Sequence, residues 1–216
     1  MRVIGVIPLI VLSLVNAVSG CKVVRNPSPE AKNAAQTDQS DEARMANYAQ
    51  EIWEPKVLPA VQENLVPLLE LRKILDQDIE KAGNAHGLRP EGEANLWNFA
   101  VSGTGKIIEA KTKSKAAKLQ VDTDADGIAD VTVQLGPIIR GTAFRDAMPF
   151  INFSDFRDQI EYAKLARAMN DLAHRGITIP EGDVVGQTVT FEGVYTLNNP
   201  TDKPEIVPVS VIYGAQ

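Results

Sequence analysis

The chain contains a single cysteine, Cys21, and this limits how it can be held together. A disulfide requires two cysteines, so no intramolecular disulfide can compensate for a small core. The residues that follow Cys21 are numerous enough for one medium-sized domain, or for one domain with a helical appendage. Such a domain must therefore be stabilised by a buried hydrophobic core.

The N-terminal segment has the pattern of an export signal. Arg2 precedes the apolar run Val3–Val15, which is too short to cross a bilayer, because a spanning helix needs about 20 residues. The following Val18-Ser19-Gly20-Cys21 resembles the bacterial lipobox, which ends in a lipidated cysteine. We predict that residues 1–20 are a lipoprotein signal peptide and that lipid on Cys21 anchors the chain to a membrane of the cell envelope. The alternative is an ordinary signal peptide in which Cys21 plays no part.

Residues 21–40 are polar and include Pro27 and Pro29. They lack the apolar content needed to form a core, which predicts a flexible tether. An exported chain of this kind carries its folded domain in the periplasm, and a tether leaves the orientation of that domain relative to the membrane free.

Residues 41–95 form a predicted helical segment, because their apolar side chains recur at helical spacing. We predict a pair of helices. The first ends at Pro55 and Pro59, since proline lacks the backbone N–H that a helix interior needs. The second runs through the apolar positions from Val61 to Ile79 and is kinked at Pro67.

Residues 96–216 change to the alternating pattern and frequent turn residues of β-structure. We predict five strands, at Leu96–Glu109, Ala116–Val121, Ala129–Leu135, Gln187–Leu197 and Ile206–Ile212. An amphipathic helix at 155–175 separates the third strand from the fourth, which is the element order of the OB-fold barrel. We therefore predict an α+β fold in which the N-terminal helical pair packs on an OB-fold-like, five-stranded β-barrel. An open α+β sheet with the same elements is the alternative.

A run of alternating aspartates, which we call the acidic turn, joins the second and third predicted strands. Its candidate calcium ligands, at the spacing of a calcium-binding loop, are Asp122, Asp124, Asp126, Ile128 through its carbonyl, and Asp130. Val133 stands where an EF-hand has its bidentate glutamate, so the segment instead resembles the calcium loops between strands of integrin-type propeller repeats. Asp126-Gly127 is also a common hairpin turn, so a metal-free, solvated turn is the alternative.

The loop Ile138–Phe153, between the third strand and the helix, combines charged, polar and aromatic residues. Its candidate binding residues are Arg140, Thr142, Arg145, Asp146 and Asn152. Two guanidinium groups beside a carboxylate suit a carboxylate, a hydroxylated ligand or the backbone of a partner. The alternative is structural: Arg145 or Arg140 pairs with Asp146 and fastens the loop to its own barrel.

Charge and motifs argue against several classes of function. A formal net charge of −6 disfavours a nucleic-acid partner, because phosphate binding requires clustered positive charge. Gly103-Thr104-Gly105-Lys106 lacks the first glycine and the Ser or Thr of a phosphate-binding loop. The sequence has no Gly-x-Ser-x-Gly, and Cys21 is assigned to lipid. We predict a non-enzymatic protein, with an envelope hydrolase as the weaker alternative.

Four stretches of the sequence resemble a family of predicted bacterial lipoproteins of unknown function: Val101–Lys106, Asp126–Val131, Gly136–Asp146 and Phe156–Ala163. Members of that family are often encoded beside sugar ABC-transport genes. The resemblance implies an accessory component of a carbohydrate ABC-import system, in contact with the sugar-binding protein or the permease. The alternative is a small-ligand or oligosaccharide-binding module on the barrel face, for which Trp53 and Trp97 are stacking candidates.

Overall fold

The computed structural model of the chain describes residues 40–90, 96–199 and 201–214. The predicted signal peptide, the lipidation site Cys21 and the tether up to residue 39 lie outside the described residues. No helix in the described part of the chain is long and apolar enough to cross a membrane.

The segment after the tether is mostly helical. Its elements are helix α1 (Asp41–Ile52), a π-helical turn (Trp53–Val57), α2 (Leu58–Glu63), α3 (Leu68–Leu75) and α4 (Ile79–His86). Ser40 caps α1, because its side-chain oxygen accepts a hydrogen bond of 3.3 Å from the backbone N–H of Ala43. Asp78 caps α4 in the same way through the N–H of Lys81, at 3.0 Å.

The prolines of this segment divide it differently from the prediction. Pro55 lies inside the π-helical turn and Pro59 in the first turn of α2, so the chain stays helical through both. A helix N-terminus tolerates proline, because its first N–H groups have no partner within the helix. Pro67 separates α2 from α3 instead of kinking one helix, since Val66–Pro67 form a short strand, β1, beside Val101–Ser102. The prediction of one continuous second helix is therefore wrong.

The barrel consists of β2 (Asn98–Lys111), β3 (Ala116–Asp122), β4 (Val131–Pro137), β5 (Thr188–Thr196) and β6 (Glu205–Tyr213). Its hydrogen-bonded order is β2-β3-β4-β6-β5, and β2 also pairs with β5, which closes the sheet. Strand β2 is long enough to pair with two strands of the barrel. Its first part pairs with β5 and its last part with β3. The predicted α+β fold, with helices before a five-stranded OB-fold-like barrel, is confirmed.

The predicted helix between the third and fourth barrel strands is α6 (Gln159–Gly176), which follows a short helix, α5 (Ala143–Asp146), and a 3-10 turn (Phe153–Asp155). It begins later than predicted because Asp158 caps it. The Asp158 carboxylate accepts hydrogen bonds from the backbone N–H groups of Ile160 and Glu161, at 2.9 and 2.8 Å.

Strands β4 and β6 pair over only a short stretch of backbone. These strands are parallel and share two residue pairs, around Val133 and Ile206. Further along β4, the buried carbonyl of Leu135 accepts a hydrogen bond from His174 Nδ1 at 2.7 Å, so α6 supplies a partner for this carbonyl. Gly136, at φ +80°, permits the approach, because a Cβ there would lie 2.8 Å from the same nitrogen.

Two clusters of buried apolar side chains stabilise the fold. One lies among the barrel strands and α3, and includes the fully buried Phe99. The other joins α1, α5 and α6 and includes Phe144 and Leu165. Each large side chain buried in this way contributes about 1.5–3 kcal/mol. Because the second cluster also contains Ala100 of β2 and Val194 of β5, it holds α6 against these two strands.

Candidate functional site

A cleft of about 730 Å³, which we call the primary cleft, lies where four parts of the chain meet. These parts are the loop after β4 together with α5, the first turns of α6, the start of β2 and the end of β5. Its polar lining includes Thr142, Arg145 and Asp146 from the loop and α5, and Asn98 and Thr196 from the strands. The volume suits a small molecule, since ligand pockets measure about 300–1,000 Å³.

Arg145 and Asp146 form the charged part of the primary cleft. Arg145 is 9% exposed, and its Nε and Nη2 lie 2.8 and 2.6 Å from Oδ1 of Asp146. Its Nη1 donates to the backbone carbonyl of Tyr162 at 3.1 Å, and the guanidinium lies 3.6 Å from the Tyr162 ring centroid. The other carboxylate oxygen of Asp146 accepts a hydrogen bond of 2.5 Å from Thr142. The two charges therefore neutralise each other within the cleft.

Asn98 ties the strands of the primary cleft to α5. Its side chain is fully buried, and its Nδ2 donates to the backbone carbonyls of Leu88 and Asp146, at 3.3 and 3.0 Å. Its Oδ1 accepts a hydrogen bond of 2.6 Å from the hydroxyl of Thr196. Because a buried polar group with satisfied hydrogen bonds rigidifies its surroundings, Asn98 holds β2, β5 and α5 in a fixed arrangement.

The structure brings Thr142, Arg145 and Asp146 together in the primary cleft, and their role in binding stays a prediction. Arg145 is the arginine that pairs with Asp146. Arg140 lines a neighbouring cleft of about 370 Å³, which we call the side cleft. Asn152 is not among the residues that line either cleft; it immediately precedes the 3-10 turn.

Much of the primary cleft was not predicted from the sequence. Gln159 and Tyr162 lie on α6, just after the loop, whereas Asn98 of β2 and Thr196 and Asn198 at the end of β5 lie far from the loop in sequence. No spacing in the sequence links these residues to Arg145. The predicted closed barrel could have indicated two of them, because closure pairs β2 with β5 and so places Asn98 opposite Thr196.

The two tryptophans that were predicted to stack on a ligand pack against other side chains of the fold. Trp53 is 8% exposed and packs edge-on against Phe144, with ring centroids 5.2 Å apart. Trp97 is covered by Arg89, whose guanidinium lies 3.7 Å from the tryptophan ring centroid. Phe153 lines the primary cleft with 39% of its surface accessible, and its ring packs edge-on against Tyr162, with ring centroids 5.4 Å apart.

In the acidic turn, three of the predicted calcium ligands lie together. Carboxylate oxygens of Asp122, Asp124 and Asp126 are all within 4.8 Å of one another. Asp122 is buried and accepts hydrogen bonds from the backbone N–H groups of Ala125 and Gly127, at 2.8 and 2.9 Å. Burial raises the pKa of the Asp122 carboxyl, but these bonds outweigh burial and hold the pKa below its ordinary value. The turn itself therefore stabilises this carboxylate.

Asp130, the fourth predicted carboxylate ligand, is engaged elsewhere, and Ile128, predicted to bind through its carbonyl, lies at an exposed position. The carboxylate of Asp130 pairs with Arg72 of α3, whose Nη2 also donates to the Asp130 carbonyl at 2.7 Å. The same carboxylate accepts hydrogen bonds from the N–H and the hydroxyl of Thr123, at 3.0 and 2.7 Å. Ile128 donates its N–H to Asp126 at 2.7 Å. Asp130 thus fastens the acidic turn to α3, and the calcium site and the metal-free turn both stay predictions.

A cluster of charges fixes the first turns of α6 to α1. Glu161, with a side chain 4% exposed, pairs with Arg44 and Arg157. Asp41 also pairs with both arginines, and Lys164 lies 3.6 Å from it. The pKa of the Glu161 carboxyl is held below its ordinary value, first by the hydrogen bond from the backbone N–H of Arg157 and then, against the opposing effect of burial, by the two guanidinium groups. Residues of these turns line the primary cleft, so the cluster helps to hold one of its walls.

Comparison with known proteins gives a fold and a family. No curated protein sequence matches the chain significantly. An OB-fold protein from Thermotoga maritima, known from a crystal structure, is similar with a TM-score of 0.60 and 22% sequence identity, over 79% of this chain and 98% of that chain. At this identity the likeness concerns the fold alone. Residues 10–212 match the family described as predicted periplasmic lipoprotein (DUF2291), from the export signal into the last barrel strand. The chain therefore belongs to the DUF2291 family of predicted periplasmic lipoproteins.

Proposed function

We propose that this periplasmic lipoprotein is a non-enzymatic accessory component of a carbohydrate ABC-import system, working beside the sugar-binding protein or the permease. Membership of a periplasmic lipoprotein family supports the location. The resemblance to lipoproteins encoded beside sugar ABC-transport genes supports the import role.

The observation that carries the non-enzymatic part is the charge pairing in the primary cleft. General acid–base catalysis uses a group that is free to give or take a proton within reach of the substrate. Arg145 and Asp146 instead neutralise each other, and Thr142 donates to the remaining oxygen of Asp146. A cleft built in this way is suited to position a ligand through hydrogen bonds, which favours a binding role.

Lipid on Cys21 is the predicted means by which the protein stays near a permease. The residues between Cys21 and Ser40 can extend at most about 60 Å. The folded domain would therefore stay close to the membrane, where a tether raises its effective concentration toward membrane-bound partners.

Affinity capture of the lipidated protein tests the accessory role. After mild crosslinking in cells, the tagged protein is purified from membranes and its partners are identified by mass spectrometry. We expect components of a carbohydrate ABC transporter, and we expect deletion of the gene to slow uptake of the sugar which that transporter carries. The accessory role is wrong if capture recovers no transporter component and deletion leaves sugar uptake intact.

The Cys21→Ser variant tests the anchor separately. The variant should remain an unlipidated precursor, because the lone cysteine at the lipobox position is the predicted acceptor of the lipid. Metabolic labelling with a fatty-acid analogue measures this. Labelled protein in the Cys21→Ser variant would contradict the assignment.

The primary cleft favours a second function that is compatible with the first, the binding of a small ligand or an oligosaccharide. Its volume and the neutral hydrogen-bonding groups around the Arg145–Asp146 pair support this function.

A further inference from the structure

The primary and side clefts are neighbours, and we call the two together the groove. Both are lined by Gly141, Thr196 and Asn198, so the two cavities share a wall. Gly141 has φ +91°, and apart from its chain neighbours no described residue has an atom within 4 Å of the position that a Cβ would take. The space beside the α-carbon of Gly141 is therefore open. The side-chain amide of Asn170 donates to the Gly141 carbonyl at 3.0 Å and fixes the backbone there.

The charged side chains along the groove balance one another. In the primary cleft, Arg145 is paired with Asp146. The side cleft is lined by two cations and two anions: Arg140, Lys203, Asp202 and Glu205. A groove of balanced charge favours an uncharged ligand, because a charged ligand would lose hydration without gaining a compensating charge.

The remaining lining combines neutral hydrogen-bonding groups with an aromatic ring. Gln159 and Asn198 carry exposed side-chain amides, which both donate and accept hydrogen bonds. Thr142 and Thr196 add hydroxyl groups. Phe153 exposes part of its ring in the primary cleft. Amides, hydroxyls and an aromatic face suit a sugar, because a sugar carries hydroxyl groups around its edge and C–H groups on its faces.

We infer that this groove binds an uncharged oligosaccharide, a disaccharide or longer, with one ring against Phe153 and the next units passing Gly141 toward the side cleft. An extended peptide is disfavoured, because the strands at the groove are already paired with each other at Asn98 and Thr196, and strand addition needs an open edge. The inference deepens the proposed function and rests on it for the biological setting. Its test measures sugar binding directly and does not depend on a transporter.

Isothermal titration calorimetry on the full chain in detergent micelles provides that test. The probes are glucose, maltose, maltotriose and maltotetraose, the corresponding cello- and xylo-oligosaccharide series, glucose 6-phosphate and an uncharged tetrapeptide. We expect one sugar series to bind with an affinity that rises at least about tenfold from the monosaccharide to the trisaccharide. Glucose 6-phosphate and the peptide should bind more weakly than that trisaccharide.

Gln159→Ala and Asn198→Ala locate the binding site. Each removes an exposed amide, so each should weaken the best oligosaccharide about three- to tenfold, the effect of one lost hydrogen bond, with the melting temperature unchanged. Phe153→Leu keeps an apolar side chain but removes the ring, and should weaken binding by a similar factor. Gln50→Ala, which removes an exposed glutamine on α1, is the matched control and should leave affinity unchanged.

Several results would overturn the inference. These are the absence of binding for every sugar series, a monosaccharide that binds as tightly as its trisaccharide, and a charged or peptide probe that binds more tightly than the sugars. Equal affinities for the Gln159→Ala, Asn198→Ala and Gln50→Ala variants would also overturn it. If no sugar binds but affinity capture still recovers a transporter, the oligosaccharide groove is wrong and the accessory role stands.

Discussion

The acidic turn and the surroundings of α6 both contain predicted site residues. Their polar contacts differ in how far apart in sequence the bonded residues lie. Within the acidic turn, Asp122 accepts hydrogen bonds from N–H groups three and five residues away. Around α6, His174 bonds to Leu135 across 39 positions, and Arg44 bonds to Glu161 across 117. At Asp122 the turn is held by its own backbone, with Asp130 fastening its end to α3, whereas α6 is held by several distant parts of the chain.

This difference separates contacts that a short sequence forms alone from contacts that depend on the closed fold. Aspartates that bond to nearby N–H groups stabilise a turn locally, and a substitution there exposes its partners to water. The contacts that His174 and Glu161 make with distant elements are partly buried, so removing one partner leaves the other without a hydrogen bond or a counter-charge. We therefore expect substitutions around α6 to reduce stability more than substitutions in the acidic turn.

Arg145→Ala should have the largest effect. It leaves the buried carbonyl of Tyr162 on α6 without its donor and Asp146, whose side chain is 22% exposed, without its cation, and we expect the free energy of unfolding to fall by about 3 kcal/mol. Arg140→Ala is the matched control, because Arg140 is exposed and its loss should change stability by less than about 0.5 kcal/mol. Denaturant midpoints measure both. Equally small losses would show that Arg145 serves a ligand and not the fold.

The difference between local and long-range contacts also explains how much of the fold could be predicted from the sequence. The barrel strands and the helix between the third and fourth of them follow from local periodicity, and their order identifies the OB-fold. The division of the second predicted helix does not follow from periodicity, because Val66–Pro67 leave the helix to pair with β2. A tertiary contact here overrides a regular apolar pattern.

The same limit applies to the candidate site. Thr142 and Asp146 were predicted because they lie on one short loop with Arg145. Gln159 and Thr196 were missed because α6 and β5 bring them to the primary cleft from other parts of the chain. Their residue types are common on surfaces, and their positions become informative only after the barrel closes.

His174→Ala should have the next largest effect. The variant leaves the buried Leu135 carbonyl without its hydrogen bond, which costs about 1–3 kcal/mol in the free energy of unfolding. His86→Ala, at the end of α4, is the control and should cost less than about 0.5 kcal/mol. Thermal or denaturant unfolding of the two variants gives the values. Equal losses would mean that the contact between α6 and β4 adds nothing to stability.

The charge cluster between α1 and α6 predicts a pH dependence. The pKa of Glu161 is lowered in the fold from its ordinary value of 4.5, so its contribution to stability is present above that value and is lost as the pH falls through the lower folded pKa. Glu161→Gln should therefore be less stable than the wild type near neutral pH, and the difference should shrink as the pH falls below 4.5. Unfolding midpoints across this range measure it, with Glu51→Gln, at an exposed position on α1, as the control. A difference that is the same at both ends of the range would contradict this prediction.

The acidic turn should show the smallest effects. Asp124 and Asp126 are exposed, so Asp124→Ala and Asp126→Ala should each change stability by less than about 0.5 kcal/mol in the presence of a chelator. A bound calcium ion would change this expectation. At a concentration a hundred times its Kd, calcium would add about 2.7 kcal/mol and raise the melting temperature by about 5–10 °C.

We expect instead that thermal melts of the full chain in millimolar calcium and in chelator coincide. Calcium takes about six to eight oxygen ligands. In the acidic turn, Asp130 is paired with Arg72, and Asp122 already accepts two backbone hydrogen bonds, so ion binding would have to replace contacts that stabilise the fold. A calcium-dependent rise in melting temperature that Asp124→Ala and Asp126→Ala both abolish would contradict this expectation. It would mean that the turn binds the ion despite these contacts, and that Asp130 either leaves Arg72 or takes no part in the site.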